Sequence, residues 1–420
     1  MVTQVKDSIG VTAAGARYAT LSQILEGEVR SDRVARGIYA TDASEYQQQP
    51  EAVAFPKTDA DVRELIRFAR IERVGIIPRA AGTSLAGQVV GGGIVVDAGR
   101  HMNRILSLDL ERRRVRVQPG VVRNELNRFL APHGLFFGPE TSTADWAMIG
   151  GMVGNNSCGS NSIAYGTTRD HLVSARGYLA DGSAATFGPL DADGFRAACE
   201  ERESLEGSIY RELGDLLADE ATRQLIRDAF PRPEVTRRNT GYALDALMQA
   251  SCFDPACPAD FNVCRLLAGS EGTLFLGVEF ELNVIPLPPP GALLCVHCAT
   301  VDEALRATVV VMRDLAGSGI RPTGCELIDK KILDCTKDNL EQSRNRAFVV
   351  GDPGAVLVVE LRDADRSRLE REIDTVDTAL RAAGLGYAYP RLFGAEGDRV
   401  WELRRAGQGL VNNLPGDAKP

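Results

Sequence analysis

Two stretches of this chain carry the residue types that cradle phosphate. Pro78-Arg-Ala-Ala-Gly-Thr-Ser-Leu-Ala-Gly-Gln88 follows an apolar strand expected at 74–77, so a loop of small residues leaves a sheet where backbone N–H groups can converge on an anion. Thr83 and Ser84 add hydroxyl donors. Further on, Pro139-Glu-Thr-Ser-Thr143 and Ile149-Gly-Gly-Met-Val-Gly-Asn-Asn-Ser-Cys-Gly-Ser160 bring more glycines and two adjacent amides, Asn155 and Asn156, each both donor and acceptor. Together they read as a cradle for a dinucleotide. Neither stretch has the Gly-x-Gly-x-x-Gly or the Gly-x-x-x-x-Gly-Lys-Ser/Thr pattern, which argues against a nicotinamide Rossmann site and against a P-loop.

The elements that must position these loops are legible around them. A lead helix is expected up to about residue 34, and Thr58 caps a helix whose Val62, Leu65, Ile66 and Ala69 recur at i, i+3, i+4 and i+7. Strands are expected at 94–96, around Val115 and Val117, and at 135–137, with a helix over 122–130. Asp181-Gly182 marks a turn between two strands. Pro286-Leu-Pro-Pro-Pro-Gly291 is a stiff connector that no helix or central strand would contain. Beyond it come a strand at 293–299, a capping box Thr300-Val-Asp-Glu303 opening a helix with Leu305, Val309 and Met312 inward, and a segment at 325–328. A strand at 356–361, a helix over 363–383 ended by Gly384, and a strand around Tyr387 follow. Strand-helix-strand twice over predicts a ferredoxin-like unit.

Composition limits what the loops serve. The net charge of -9 argues against a nucleic-acid surface. No run of eighteen apolar residues spans a membrane, and Met1 to Ser8 lacks the basic and apolar regions of a secretory signal, which makes the cytoplasm the default compartment. Cys252, Cys257 and Cys264 lie in or beside a loop of Asp and Pro, and Cys295-Val-His-Cys298 has a metal-like spacing. On a buried strand, however, Cys295 and Cys298 point to opposite faces, so the nine cysteines read as packed thiols and no metal site is expected.

With Gly269-Ser-Glu-Gly-Thr-Leu274 as a third element, the two stretches resemble the FAD-binding domain of the vanillyl-alcohol oxidase (PCMH-type) flavoproteins. Within that superfamily the chain is similar to the D-lactate and D-2-hydroxyglutarate dehydrogenase branch, particularly its long members with a fused iron–sulfur half. The resemblance implies an α+β fold: a helical lead at 1–39, a two-subdomain PCMH-type FAD-binding domain at 40–285, and a ferredoxin-like substrate (cap) domain at 292–420, which it implies is incomplete. It assigns the cofactor to Arg79, Ala80, Ala81, Gly82, Thr83, Ser84, Gly87, Gln88, Pro139, Glu140, Thr141, Gly150, Gly151, Gly154, Asn155, Asn156, Ser157, Ser160, Tyr165, Gly166, Glu271, Gly272 and Thr273. FAD is expected to be non-covalent, because neither loop holds a histidine. Asn239-Thr-Gly-Tyr242 resembles a family stretch near the flavin, and Cys158 lies inside the second cofactor motif. Ala80 and Ala81 stand where many relatives have glycine, and Phe275 replaces a further one.

The resemblance also implies chemistry: oxidation of a small D-2-hydroxy acid (D-lactate, D-2-hydroxyglutarate or glycolate class) by hydride transfer to flavin N5, with electrons passed to an iron–sulfur, quinone or cytochrome acceptor. In Trp401-Glu-Leu-Arg-Arg-Ala-Gly-Gln-Gly409 the first arginine matches the family residue that grips the substrate carboxylate, which assigns Arg404 that role; Glu326 is a second catalytic candidate. Gln408 stands where relatives have a hydroxyl residue, and the family's metal-binding His-rich segment has no counterpart after it. His101, His133, His171 and His297 lie elsewhere and are expected to be surface or packed residues. Two alternatives stay open: a flavin-carrying electron-transfer or assembly module without the active-site half, and another superfamily chemistry such as an oxidase or an ether-lipid synthase. A location peripheral to the inner membrane, through the electron acceptor, is also compatible.

Overall fold

The capped helical period of the first half folds as Asp59–Glu72, with Val62, Leu65, Ile66 and Ala69 buried. Thr58 and Asp61 complete a reciprocal capping box at its start, and Arg73 ends it in the left-handed conformation. This description rests on a computed structural model that covers residues 13–232, 234–235, 237–239 and 241–414.

The described chain makes two compact units. The first comprises the chain to Phe137, Ala144–Ser157 and Thr168–Ile285; the second comprises Gly138–Thr143, Cys158–Thr167 and the chain from Pro286. The first unit contains a four-stranded and a five-stranded sheet. In one, β1 (Glu28–Arg30), β2 (Ala52–Phe55), β4 (Ile94–Asp97) and β3 (Ile76–Arg79) lie in that order, the last two pairings parallel and the first antiparallel. The central β2 and the Ile94-Val95-Val96 run of β4 are buried, which is why they read as continuous apolar runs. The other sheet is antiparallel, in the order β5 (Ile105–Asp109), β6 (Arg114–Val117), β9 (Leu276–Asn283), β7 (Leu172–Tyr178), β8 (Ala184–Phe187). The expected Asp-Gly turn joins β7 to β8, with Gly182 at φ +85°.

The lead segment departs from expectation. Helix Ala13–Ile24 stops well short of residue 34, and β1 and a short helix, Arg33–Ile38, follow it. The reason is tertiary: the buried Asp61 carboxylate accepts the N–H groups of Glu26 and Gly27 at 2.8 and 3.1 Å, turning the chain onto β2. Gly27 lies so close to β2 that a Cβ would come within 2.2 Å of the Phe55 carbonyl oxygen.

The second unit has the ferredoxin-like order. β10 (Gly291–Cys298), β11 (Gly324–Asp329), β12 (Ala355–Arg362) and β13 (Arg391–Phe393) make an antiparallel sheet ordered β11-β12-β10-β13, with helices Val301–Val309 and Arg366–Ala382 as the two crossovers. Cys295 packs in one cluster with Leu293, Val358 and Leu403, and Cys298 in another with Leu294, Leu357 and Ile373, so the two thiols do face opposite ways. Burial pushes the Cys295 thiol up to about 12 and the Cys298 thiol up to about 11.

Three local expectations are corrected here. Leu305, Val309 and Met312 are not inward: they are 55%, 43% and 39% exposed, while Ala304, Ala307 and Val311 face the sheet. Two apolar stripes share this helix, and the one with small residues lets the helix approach the sheet closely. Only half of the capping box forms: Thr300 accepts the Glu303 N–H, but the Glu303 carboxylate bonds the N–H groups of Ala299 and Gly386, both at 2.7 Å. The last strand is Arg391–Phe393; at Tyr387 the chain makes only an isolated bridge, Ala388 to His297.

Candidate functional site

In the first unit the three glycine-containing motifs converge. Arg79 ends β3, donates from Nη1 to the Thr41 carbonyl at 2.8 Å and lies over the Tyr39 ring at 5.0 Å. The loop beyond it turns at Gly82 (φ +69°) and Gly87 (φ +72°), against the Arg79 guanidinium and the Tyr46 ring respectively. Part of the second motif is a helix, Ile149–Asn155, rather than a loop. Its glycines therefore serve close approach: a Cβ on Gly151 would be 3.0 Å from Ala80 of the first loop, and one on Gly154 would touch the Glu271 and Gly272 backbones at 3.7 and 3.9 Å. The third motif docks on the same helix, with Gly269 N–H donating to Val153 O and Glu271 N–H to Gly154 O. One side chain joins all three, because Gln88 Nε2 lies 3.0 Å from Asn155 Oδ1 and 3.3 Å from Glu271 Oε1.

This wall has unused polar capacity. Among the described residues, Ser84 Oγ, Gln88 Oε1 and Asn156 Nδ2 are buried without a hydrogen-bond partner. Such atoms cost about 1–3 kcal/mol each when left unpaired, so they fit a polar, hydrogen-bonding ligand. Asn156, at φ +47°, is the left-handed cap that ends helix Ile149–Asn155, and Glu271 is held at φ +54°, a left-handed conformation that costs a non-glycine residue energy and is held by its surroundings. Asn156 Oδ1 accepts the Arg169 N–H at 2.8 Å. The Arg169 guanidinium bonds the carbonyls of Arg265, Arg238 and Ala268, and its burial pulls its pKa down to about 10. Tyr242 Oη lies 2.7 Å from Thr273 Oγ1, which ties the 239–242 stretch to the third motif; Thr240 lies outside the described residues. Thr83 belongs to the first loop, and Ser157 receives the Asn155 amide at 3.1 Å.

The remaining cofactor candidates, Pro139, Glu140, Thr141, Ser160, Tyr165 and Gly166, belong to the second unit, as does Cys158. There Arg404, on helix Ala395–Asn412, donates from Nε and Nη2 to Glu326 Oε2 at 3.1 and 2.7 Å. Glu326 lies on β11, so the two catalytic candidates form one ion pair, 28% and 16% exposed. Among the described residues Arg404 Nη1 has no protein partner, so the pair holds one edge of the guanidinium and leaves the other open to an anion. Arg405 lies 3.7 Å from Glu140. The side chain of Gln408 lies outside the described residues. Beside this pair Glu360, 2% exposed, takes hydrogen bonds from Asn161, Thr323, Arg362 and Trp401. Burial raises the Tyr165 phenol, with Arg362 pulling the other way.

Glu360 and Arg169 escaped the sequence reading. The signal for Glu360 was available: a lone acid in the apolar run of β12 must be paired. Arg169 carries no comparable signal. The histidines are packed or peripheral. His297 accepts the Val350 N–H at Nε2 and sits 3.0 Å from Cys295 O at Nδ1, and burial lowers its pKa. His171 lies 3.1 Å from Asn283 O; His101 is 3.9 Å from Glu28, and His133 is exposed.

Comparison with known proteins gives two family matches, the FAD binding domain over residues 50–188 and the C-terminal domain of FAD linked oxidases over residues 287–420. The chain is 32% identical to D-2-hydroxyglutarate dehydrogenase of Pseudomonas putida, over 98% of this chain and 41% of that protein. It is 30% identical to the Escherichia coli K12 enzyme of the same name, over 100% and 41%. Glycolate oxidase subunit GlcD of Bacillus subtilis is 27% identical, over 79% and 57%. The chain thus spans about two fifths of the length of the dehydrogenases it matches. Among solved structures, alkyldihydroxyacetonephosphate synthase superposes with a TM-score of 0.61 at 17% identity, covering 92% of this chain and 61% of that one. Xylooligosaccharide oxidase from Myceliophthora thermophila gives 0.56 at 16%, covering 93% and 63%. At these identities the likeness is one of fold.

Proposed function

The chain belongs to the FAD-linked oxidases of the vanillyl-alcohol oxidase type, and from that premise we propose that it oxidises a D-2-hydroxy acid of the D-2-hydroxyglutarate, D-lactate or glycolate class to the 2-oxo acid. FAD is its non-covalent cofactor. The three motifs hold it, and in their parts within the first unit the Ser84 hydroxyl, the Gln88 carbonyl and the Asn156 amide are satisfied by its polar groups. FAD supplies the hydride acceptor. In this reading residues 40–285, after a lead at 1–39, form the cofactor domain and 292–420 the substrate domain.

The observation that carries the proposal is Arg404: a guanidinium held on one edge by Glu326 and open on the other, in the stretch 401–409 whose resemblance to the family implies a carboxylate-gripping arginine. Its open edge binds and orients the hydroxy acid, and Glu326 keeps it in place. Electrons leave for a quinone, cytochrome or iron–sulfur acceptor, and the protein works in the cytoplasm or peripheral to the inner membrane through that acceptor. Among the described residues no helix is long and apolar enough to cross one.

The test is anaerobic mixing of the flavin-loaded chain with D-2-hydroxyglutarate, D-lactate, glycolate and the L-isomers while flavin absorbance is followed. Bleaching by a D-acid, lost in Arg404→Met, is the expected result. Absence of bleaching by any hydroxy acid favours instead a flavin-carrying electron-transfer or assembly module.

A further inference from the structure

The second unit contains a buried carboxylate that the proposed reaction does not use. Glu360 Oε2 accepts from Asn161 Nδ2 at 2.6 Å and Thr323 Oγ1 at 2.8 Å, and its Oε1 accepts from Arg362 Nη2 at 2.8 Å and Trp401 Nε1 at 3.2 Å. Four donors around one carboxylate are more than pairing with Arg362 alone requires. Gly324 lies opposite it in register, and its Cα faces the same group: a Cβ there would make ordinary contact, 3.4 Å, with each of Asn161, Glu360 and Trp401.

Two of the four donors come from the elements that matter most. Asn161, which also donates to Thr323 O at 3.1 Å, opens the short helix Ser162–Tyr165 and sits between the cofactor candidates Ser160 and Tyr165. Trp401 lies one turn before Arg404 on the same helix. We infer that Glu360 is a positioning residue that holds the cofactor segment 158–167 and the Arg404 helix in one register, so that flavin binding and carboxylate binding share a support. This rests on the function proposed above.

The experiment measures binding in the full chain: the Kd of FAD for apoprotein by flavin fluorescence, and the Kd of 2-oxoglutarate for the FAD-loaded protein by calorimetry. Glu360→Gln is expected to weaken both by about tenfold; Trp401→Phe, which removes only the indole N–H, should weaken 2-oxoglutarate alone by a few-fold, and Asn161→Ala should weaken FAD. Trp401→Phe made in the Glu360→Gln background should add nothing further to the 2-oxoglutarate loss. A Glu360→Gln protein that only melts earlier, with both Kd values within twofold of the parent, overturns the inference. If Glu360→Gln fails to fold, unchanged binding in both single-arm variants overturns it. Failure of the function itself appears separately, as a parent flavin that no hydroxy acid reduces; the FAD arm then decides the positioning role.

Discussion

At the scale of the residue, Arg404 and Gly82 carry the sharpest consequences. Arg404→Met removes the bidentate donor and leaves Glu326 without its ion-pair partner. Substrate binding should fall by about 1.5–3 kcal/mol, roughly ten- to a hundredfold, with flavin reduction slowed as well, since the clamp also orients. Arg404→Lys should recover part of it, because one ammonium reproduces neither prong geometry; stopped-flow reduction of the two variants checks this. Gly82 disfavours a branched side chain chiefly through its backbone, and secondarily because the mobile end of Arg79 would have to shift. Its φ is +69°, and a Cβ would come within 2.6 Å of the Arg79 guanidinium. Gly82→Val should therefore cost about 1–3 kcal/mol of local strain, displace Arg79 from Thr41, and weaken FAD at least several-fold in a fluorescence titration. Legibility at this scale was uneven. The need for a small residue at 82 shows in the sequence, but the left-handed backbone that makes glycine the fit is identified only in the folded loop.

At the scale of the element, helix Ile149–Asn155 is the part on which the cofactor wall is assembled, since the first and third motifs both approach it through glycines. Gly151→Leu should push the first loop off the helix at Ala80, weakening FAD about tenfold or more while the far-UV circular dichroism stays that of the parent. A second element-scale prediction concerns His297, which links β10 to the Val350 loop as a neutral ring. Its pKa is lowered by burial, so the folded state disfavours the proton. The stability this contributes is complete above the unfolded value of about 6.5 and is lost as pH falls below it towards the folded value. Denaturant midpoints measured from pH 7.5 to 5 should fall, and His297→Gln should flatten that slope. Helix period was readable in the sequence wherever a cap fixed the start, as at Thr58; the face that turns inward was not readable in Val301–Val309, where two apolar stripes compete and only the sheet beneath chooses.

At the scale of the whole molecule, the prediction is a yellow protein whose FAD is released by acid or heat. Because ligand binds the folded state alone, FAD at about 100 times its Kd should add roughly 2.7 kcal/mol of stability, visible as a rise of several degrees in Tm. A colourless protein whose Tm ignores FAD would remove the cofactor assignment.

What the sequence determined by itself was the order of parts: three small-residue motifs, a proline-rich break at 286–291, and a double strand-helix-strand pattern, all consequences of local backbone preference and hydrophobic period, with the class implied by the motifs' resemblance to a family. What only the tertiary structure decided was partnership. Arg404 meets Glu326 across 78 residues, Asn161 meets Glu360 across 199, and Gln88 meets Glu271 across 183. Spacing along a chain governs which face a side chain occupies within its own element, whereas the group it bonds depends on how distant strands register, and that information resides in the packed core rather than in any local run of residues.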